Sequence, residues 1–242
     1  MVTPWKYYKD GKGYAGMILY HGSSVIVEKP DVTFGKNNND YGQGFYCTEH
    51  LTLAREWACP GRRDGIVNVY ELDPDGLKVM ELGSATDEDV LRWVAVLVRY
   101  RQLRTGSEIA EQGRKFLIGH FAPEVEEVDL VKGYRADDSY FSFVRDFLNN
   151  TVSLEQLGEA MKLGALGEQL VLKSRQAEAA IRFLQYEAVN WETWHRQRRA
   201  RDEAARADYR RLQGRAGFSG RDMMDILRED RNAADTAVQE EK

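Results

Sequence analysis

Apolar and polar positions change in short blocks along this chain. MILY (17–20) is a brief apolar run followed at once by HGSS, which predicts a strand ending in a polar turn. DVTFGKNNNDYGQG (31–44), dense in Asn, Asp and Gly, predicts a loop. GFYCT (44–48) predicts a short strand. HLTLAREWA (50–58) then carries apolar residues at 51, 53, 54, 57 and 58 on one helical face, with Thr48 as cap and Glu49 in the first turn. CPGRRDG (59–65) reads as a turn, β-branched and aromatic IVNVYEL (66–72) as a strand, and DPDG (73–76) as another turn.

Thr86 and the acidic residues after it open an amphipathic helix over 86–104. VEEVDLVKGY (125–134) predicts a strand that leads into the polar RADDS turn. Helices follow over 139–150 and 153–164, the second with Ser153 and Gln156 spaced for a capping box. EQLVLKS (168–174) predicts a strand and RQAEAAIRFLQYEAV (175–189) a helix. Past residue 190 the chain turns rich in Ala, Arg and acids. That predicts a long solvated helix with pairs at i,i+4, broken by GFSG (217–220) and followed by a short helix over 221–230 and a frayed end. The division is an N-terminal segment 1–16, a domain 17–190 and a charged helical tail 191–242. Strands and helices mix without a βαβ series, so the fold class is α+β.

Composition narrows the function classes. The 242 residues are 43% hydrophobic with a net charge of −5, which is ordinary for a globular protein. No apolar run approaches a membrane span, and the N-terminus has no apolar core of signal-peptide type, so a cytoplasmic location is expected. Cys47 and Cys59 are the only cysteines and the four histidines are scattered, so no metal site is expected. The mild acidity argues against a nonspecific nucleic-acid binder, local basic patches aside. Neither G-x-G-x-x-G nor a P-loop is present.

Three segments carry polar residues at strand ends: LYHGS (19–23), YGQGFYCTEHLTLAREWA (41–58) and GEQLVLKS (167–174). In this order they resemble the three NAD-binding segments of ADP-ribosyltransferases of the His-Tyr-Glu type, to which poly(ADP-ribose) polymerases and diphtheria-type toxins belong. With its GFYxT strand, VNxY strand and Ala136-Asp137-Asp138 turn, the chain also resembles a bacterial family related to these enzymes. The resemblance spans about 17–185 and excludes the tail. It implies a split antiparallel β-sheet core with surrounding helices and NAD as substrate, with no metal.

The resemblance also implies roles. His21 would hydrogen-bond the adenosine-side ribose, and imidazole can both donate and accept. Gly22 would offer its backbone to the nicotinamide amide, an approach that a side chain would block, and Ser23 would support the turn or the ribose. Tyr46 and Trp57 would stack on the nicotinamide ring. Where the polymerases often have a Ser that touches the amide, this chain has Ala54. Glu168 would bond the 2′-hydroxyl of the nicotinamide-side ribose and stabilise charge on the ring. Strand alternation allows only one of Glu168 and Gln169 to face a cleft. If Gln169 does, the anionic role passes to Asp137 or Asp138. Each of these residues also has a plain structural reading, as a strand-end polar group, a turn glycine, a core aromatic or a helix cap. In the RADD turn, which also holds Arg135, the Asp137 and Asp138 pair could touch ribose or acceptor or cap the next helix; Arg99 and Arg101 could reach the pyrophosphate and read more simply as solvated.

The expected activity is transfer of ADP-ribose from NAD to a macromolecule with release of nicotinamide. The resemblance implies a bacterial toxin of a toxin–antitoxin pair, a phage-defence component or a delivered effector. An NAD glycohydrolase and a catalytically silent NAD-site module are the alternatives. The acceptor, protein or nucleic acid, is open. The tail could contact an antitoxin or other partner protein, or pack back through Trp191, Trp194, Tyr209 and Leu212. Both are preferred to nucleic-acid binding, and no membrane contact is expected.

Overall fold

The computed structural model describes residues 8–9, 15–83, 86–103, 105–136, 138–161, 168–215 and 220–230. In chain order the elements are β1 (Tyr8–Lys9), β2 (Ala15–Ser23), β3 (Phe45–Cys47), α1 (Leu51–Ala58), β4 (Gly65–Leu72), β5 (Val79–Leu82), α2 (Asp87–Tyr100) and α3 (Glu108–Phe121). A 3-10 turn at Val125–Glu127 precedes β6 (Leu130–Tyr134), α4 (Asp138–Leu148), α5 (Leu154–Ala160), β7 (Glu168–Leu172), α6 (Arg175–Ala180), β8 (Ile181–Val189) and α7 (Trp191–Arg215). A further short helix covers 223–230. The protein is therefore a mixed α and β fold.

Two compact units draw on separated stretches of sequence. The first takes the described residues within 1–82, 124–135 and 166–203. The second takes those within 83–123, 136–165 and 204–242. These units are not contiguous like the division at 16 and 190, because strand pairing brings β6 to β5, β7 to β3 and β8 to β4 across the helices between them.

In the first unit β1-β2-β4-β8 form one four-stranded sheet and β3-β7-β6-β5 another. The first sheet is antiparallel throughout. The second is mixed, not purely antiparallel as expected, since β5 runs parallel to β6. Alternation gives both sheets an apolar face. Met17, Leu19, Tyr70 and Leu72 from one sheet share a core with Phe45, Cys47, Leu130, Leu170 and Leu172 from the other. On the reverse face of the first sheet, Ala54 and Ala58 of α1 pack with Val67, Val189 and Cys59. The two sheets are joined at an isolated bridge, where Tyr20 and Thr48 exchange backbone hydrogen bonds of 2.8 and 2.9 Å.

The second unit is helical. The Thr86 side chain caps α2, and Ser153 with Gln156 forms the reciprocal capping box of α5. Residues 90–91 and 93–98 of α2 are all buried, so this helix sits in a core rather than on a surface. Phe143 stacks on Tyr209 at 3.7 Å, and the Tyr209 hydroxyl reaches Asp146 at 3.0 Å.

Residues 175–189 are corrected in the structure. The expected helix stops at Ala180, and Ile181–Val189 pair along the whole of β4. Its alternating Ile181, Phe183 and β-branched end suit a strand, and the free edge of β4 supplies backbone partners that a helix would leave unmade. His21, Gly22 and Ser23 are also not a turn after β2. They are its last three residues, opposite Asn68, Val67 and Ile66.

Candidate functional site

At the junction of the two sheets several polar side chains of the first unit converge. His21 has the strand parity of Met17 and Leu19, and its ring lies 4.5 Å from Phe45. Its Nδ1–H donates to the Tyr46 carbonyl at 2.7 Å. Burial lowers the imidazole pKa, against the raising effect of that hydrogen bond. The neutral ring with Nδ1 protonated leaves Nε2 as an acceptor, and Nε2 has no partner among the described residues.

Glu168 shares its face of β7 with the core residues Leu170 and Leu172. Its side chain is 36% exposed, and Lys132 Nζ lies 3.1 Å from its carboxylate. The same ammonium donates to Glu49 at 3.2 Å. Lys132 stands opposite Leu170 on β6, diagonal to Glu168, so sheet register brings the pair together. Desolvation of Lys132 is outweighed by its two carboxylates, and its pKa is raised. Thr48 does not cap α1 as expected. Its hydroxyl donates to the Glu168 carbonyl at 3.0 Å and accepts from His50 N–H, and His50 is the N-cap of α1, with no side-chain capping bond.

The register separates the two residues left open by the sequence. Gln169 projects to the other face, where it is buried and donates to Asp40 at 3.0 Å. Its amide holds the loop at 40 against β7. Tyr46 also points away from Phe45 and Cys47. Its hydroxyl donates to the Gly42 carbonyl at 2.7 Å and accepts from Tyr41 N–H at 3.1 Å. Gly42 has φ 74°, a backbone conformation that glycine adopts without strain. Lys173 Nζ fixes the same loop by donating to the carbonyls of Tyr41 and Gln43, each at 2.7 Å.

Gly22 lies against α1. A Cβ there would collide with the Ala54 carbonyl and come within 2.6 Å of the Ala58 nitrogen and 2.8 Å of Trp57 Cβ. Close packing therefore requires glycine at this position. Trp57 is half-buried, its indole N–H is buried without a hydrogen-bond partner, and the Arg135 guanidinium lies 5.1 Å from its ring centroid. Ser23, the last residue of β2, accepts from Asn68 Nδ2 at 3.0 Å. Asp138 is the first residue of α4, in the second unit, and Asp137 lies outside the described residues, as does Gly167. Arg99 and Arg101 belong to the second unit, over the rings of Tyr100 and Phe141.

A family model described as "Protein of unknown function (DUF3990)" matches residues 17–183, more than half of the chain. The chain belongs to the DUF3990 family. No curated protein and no solved structure matches it. The stretch matched by DUF3990 contains His21, Tyr46, Trp57, Glu168 and every partner named for them above. Among the described residues no group of His, Cys, Asp or Glu could hold a metal, and no helix is long and apolar enough to cross a membrane.

Three DUF3990 residues were not singled out by sequence. Asn68 is fully buried, and its side chain bonds the His21 and Val25 carbonyls, Ser23 Oγ and the Val27 N–H, which shapes the chain after β2. A lone Asn within IVNVYEL was the available signal, since a polar residue amid buried neighbours must bond something. Glu49 and Lys132 gave none. Glu49 was expected only as a first-turn acid of α1, which in the structure has none, and register sets Lys132 between Glu49 and Glu168.

Proposed function

We propose that this protein is an ADP-ribosyltransferase of the His-Tyr-Glu type, with a split-sheet core and NAD as substrate. The observation that carries the reading is the placement of His21 and Glu168, by strand parity on the inner faces of two sheets, next to the Tyr20–Thr48 bridge that joins them. Two features of the chemistry support it. The Nε2 lone pair of neutral His21 suits a ribose hydroxyl. The part-exposed carboxylate of Glu168, steadied by Lys132, suits a 2′-hydroxyl beside a carbon that gains positive charge. In the reaction the bond between the ribose C1′ and the nicotinamide nitrogen breaks, and nicotinamide leaves with the electron pair. An acceptor nucleophile then bonds to C1′ and gives up its proton to water. Glu168 stabilises the oxocarbenium-like ribose through its 2′-hydroxyl. Trp57 offers a ring face for nicotinamide once the Arg135 guanidinium moves off it, and Gly22 offers backbone groups beside that face. The setting inferred is that of a bacterial toxin or effector.

The test is nicotinamide release from NAD by the purified chain, alone and with bacterial lysate, with adenine-labelled NAD to follow transfer. Glu168→Gln is expected to lower release on the order of 10²–10³-fold with the fold retained by circular dichroism. Label on protein or nucleic acid identifies the acceptor class, and release without transfer makes the protein a glycohydrolase. Release by Glu168→Gln at the rate of the unaltered chain overturns the assignment.

A further inference from the structure

We propose that the first unit carries a second binding site, a groove for single-stranded nucleic acid along the start of α7. The groove has a volume of about 450 Å³ and lies between the turn at 60–64 and helix residues 191–203. Arg62, Trp191, His195, Arg196 and Arg199 line it, together with Glu192 and Glu203. The chain is acidic overall, and four arginines of this unit away from the groove are matched: Arg55 with Glu187, Arg175 with Glu178, Arg182 with Glu71, and Arg201 with Glu56. Arg62 and Arg196 are exposed and form no ion pair among the described residues. Exposed Arg63 and half-buried Arg198, close to them in sequence, also form no ion pair among the described residues. Arg199 meets Glu203 through one nitrogen at 3.4 Å. Guanidinium groups without an ion pair therefore gather at one turn and one helix, beside the carboxylates of Glu192 and Glu203.

The groove also offers two ring systems. Trp191 is half-buried, its backbone N–H held by Asp64 at 2.9 Å, and His195 lies 6.5 Å from it between ring centroids. His195 Nδ1 is buried without a hydrogen-bond partner. Arginines that can fork onto phosphates, beside the Trp191 and His195 rings, match a strand that presents both phosphates and bases. Helix residues 191–203 extend about 18 Å at 1.5 Å per residue, too long for one mononucleotide to engage both ends. An acidic protein segment would satisfy the arginines and leave the rings without a planar partner. The site does not depend on the NAD reading, and on that reading it provides a place for an acceptor to dock.

The experiment measures binding of fluorescein-labelled single-stranded 12-mers, RNA and DNA, to the full chain by anisotropy at 50 and 200 mM salt. At least one oligomer is expected to bind, with affinity falling as salt rises. Arg62→Glu with Arg196→Glu should raise Kd at least tenfold. Arg62→Gln with Arg196→Gln should raise it less. The charge-matched pair Lys29→Glu and Lys36→Glu, both exposed on the same unit, should stay within twofold. The proposal is overturned by no binding of either oligomer, by unchanged Kd in both arginine variants, by a mononucleotide that binds as tightly as the oligomer, or by equal displacement with a poly-glutamate peptide. Nicotinamide release measured in parallel keeps the two readings apart, since either can fail alone.

Discussion

His21 is shaped by burial and by the carbonyl of Tyr46, and burial dominates. Its folded pKa lies below the ordinary 6.5, so the unfolded chain binds this proton more readily than the native one. The stability tied to neutral His21 is present above about pH 6.5 and is lost as the pH falls. Thermal melts from pH 8 to 5 should show a steeper acid-side loss for the native sequence than for His21→Asn, and parallel curves would remove His21 as the cause. Gly22 is a second residue with one allowed identity. Gly22→Ala must push α1 away from β2, with an expected loss of about 1–3 kcal/mol in urea unfolding; an unchanged midpoint would mean that α1 gives way without cost. The sequence marked both residues because each stands beside a short motif. It could not mark Asn68 or Lys132 as site residues, since their partners lie 47 and 36 positions away and are met only through pairing.

At the scale of elements, local signals were legible where the chain punctuates itself. Ser153 and Gln156 announce α5, and Ser153→Ala should cost about 1 kcal/mol, seen as a lowered unfolding midpoint with unchanged slope. An unaltered midpoint would assign the start of α5 to packing alone. Residues 181–189 show the opposite case. Ala-rich 175–180 makes a helix, and the periodicity carries the eye onward, yet β4 claims the next nine residues. The element that matters most for chemistry is the β6–β7 pair, which holds Lys132 beside Glu168. On the proposed function, Lys132→Met should reduce nicotinamide release at least tenfold with NAD affinity within twofold, and Lys132→Arg should restore part of it. A Lys132→Met chain as active as the native one would leave Glu168 independent of its lysine.

At the scale of the whole molecule the two cysteines report on separate apolar clusters of the first unit, Cys47 on the inter-sheet core and Cys59 on the α1 face. Burial pushes both thiols above their ordinary pKa. Neither should react with a thiol reagent in the native state, and both should become reactive at one denaturant concentration if the unit unfolds as a whole. Earlier labelling of Cys59 would show that the α1 face opens first. The fold class was legible as a mixture of strands and helices, but the grouping into two units was not, because no composition change marks the points where the chain leaves one unit for the other. The central place of β7, flanked by β3 and β6, also bears on synthesis. His21 emerges early from a ribosome and Glu168 late, and the gap in the second sheet stays open until β7 arrives. On the proposed reading, an unfinished chain is harmless to the cell that makes it, and activity begins only when the last strands dock.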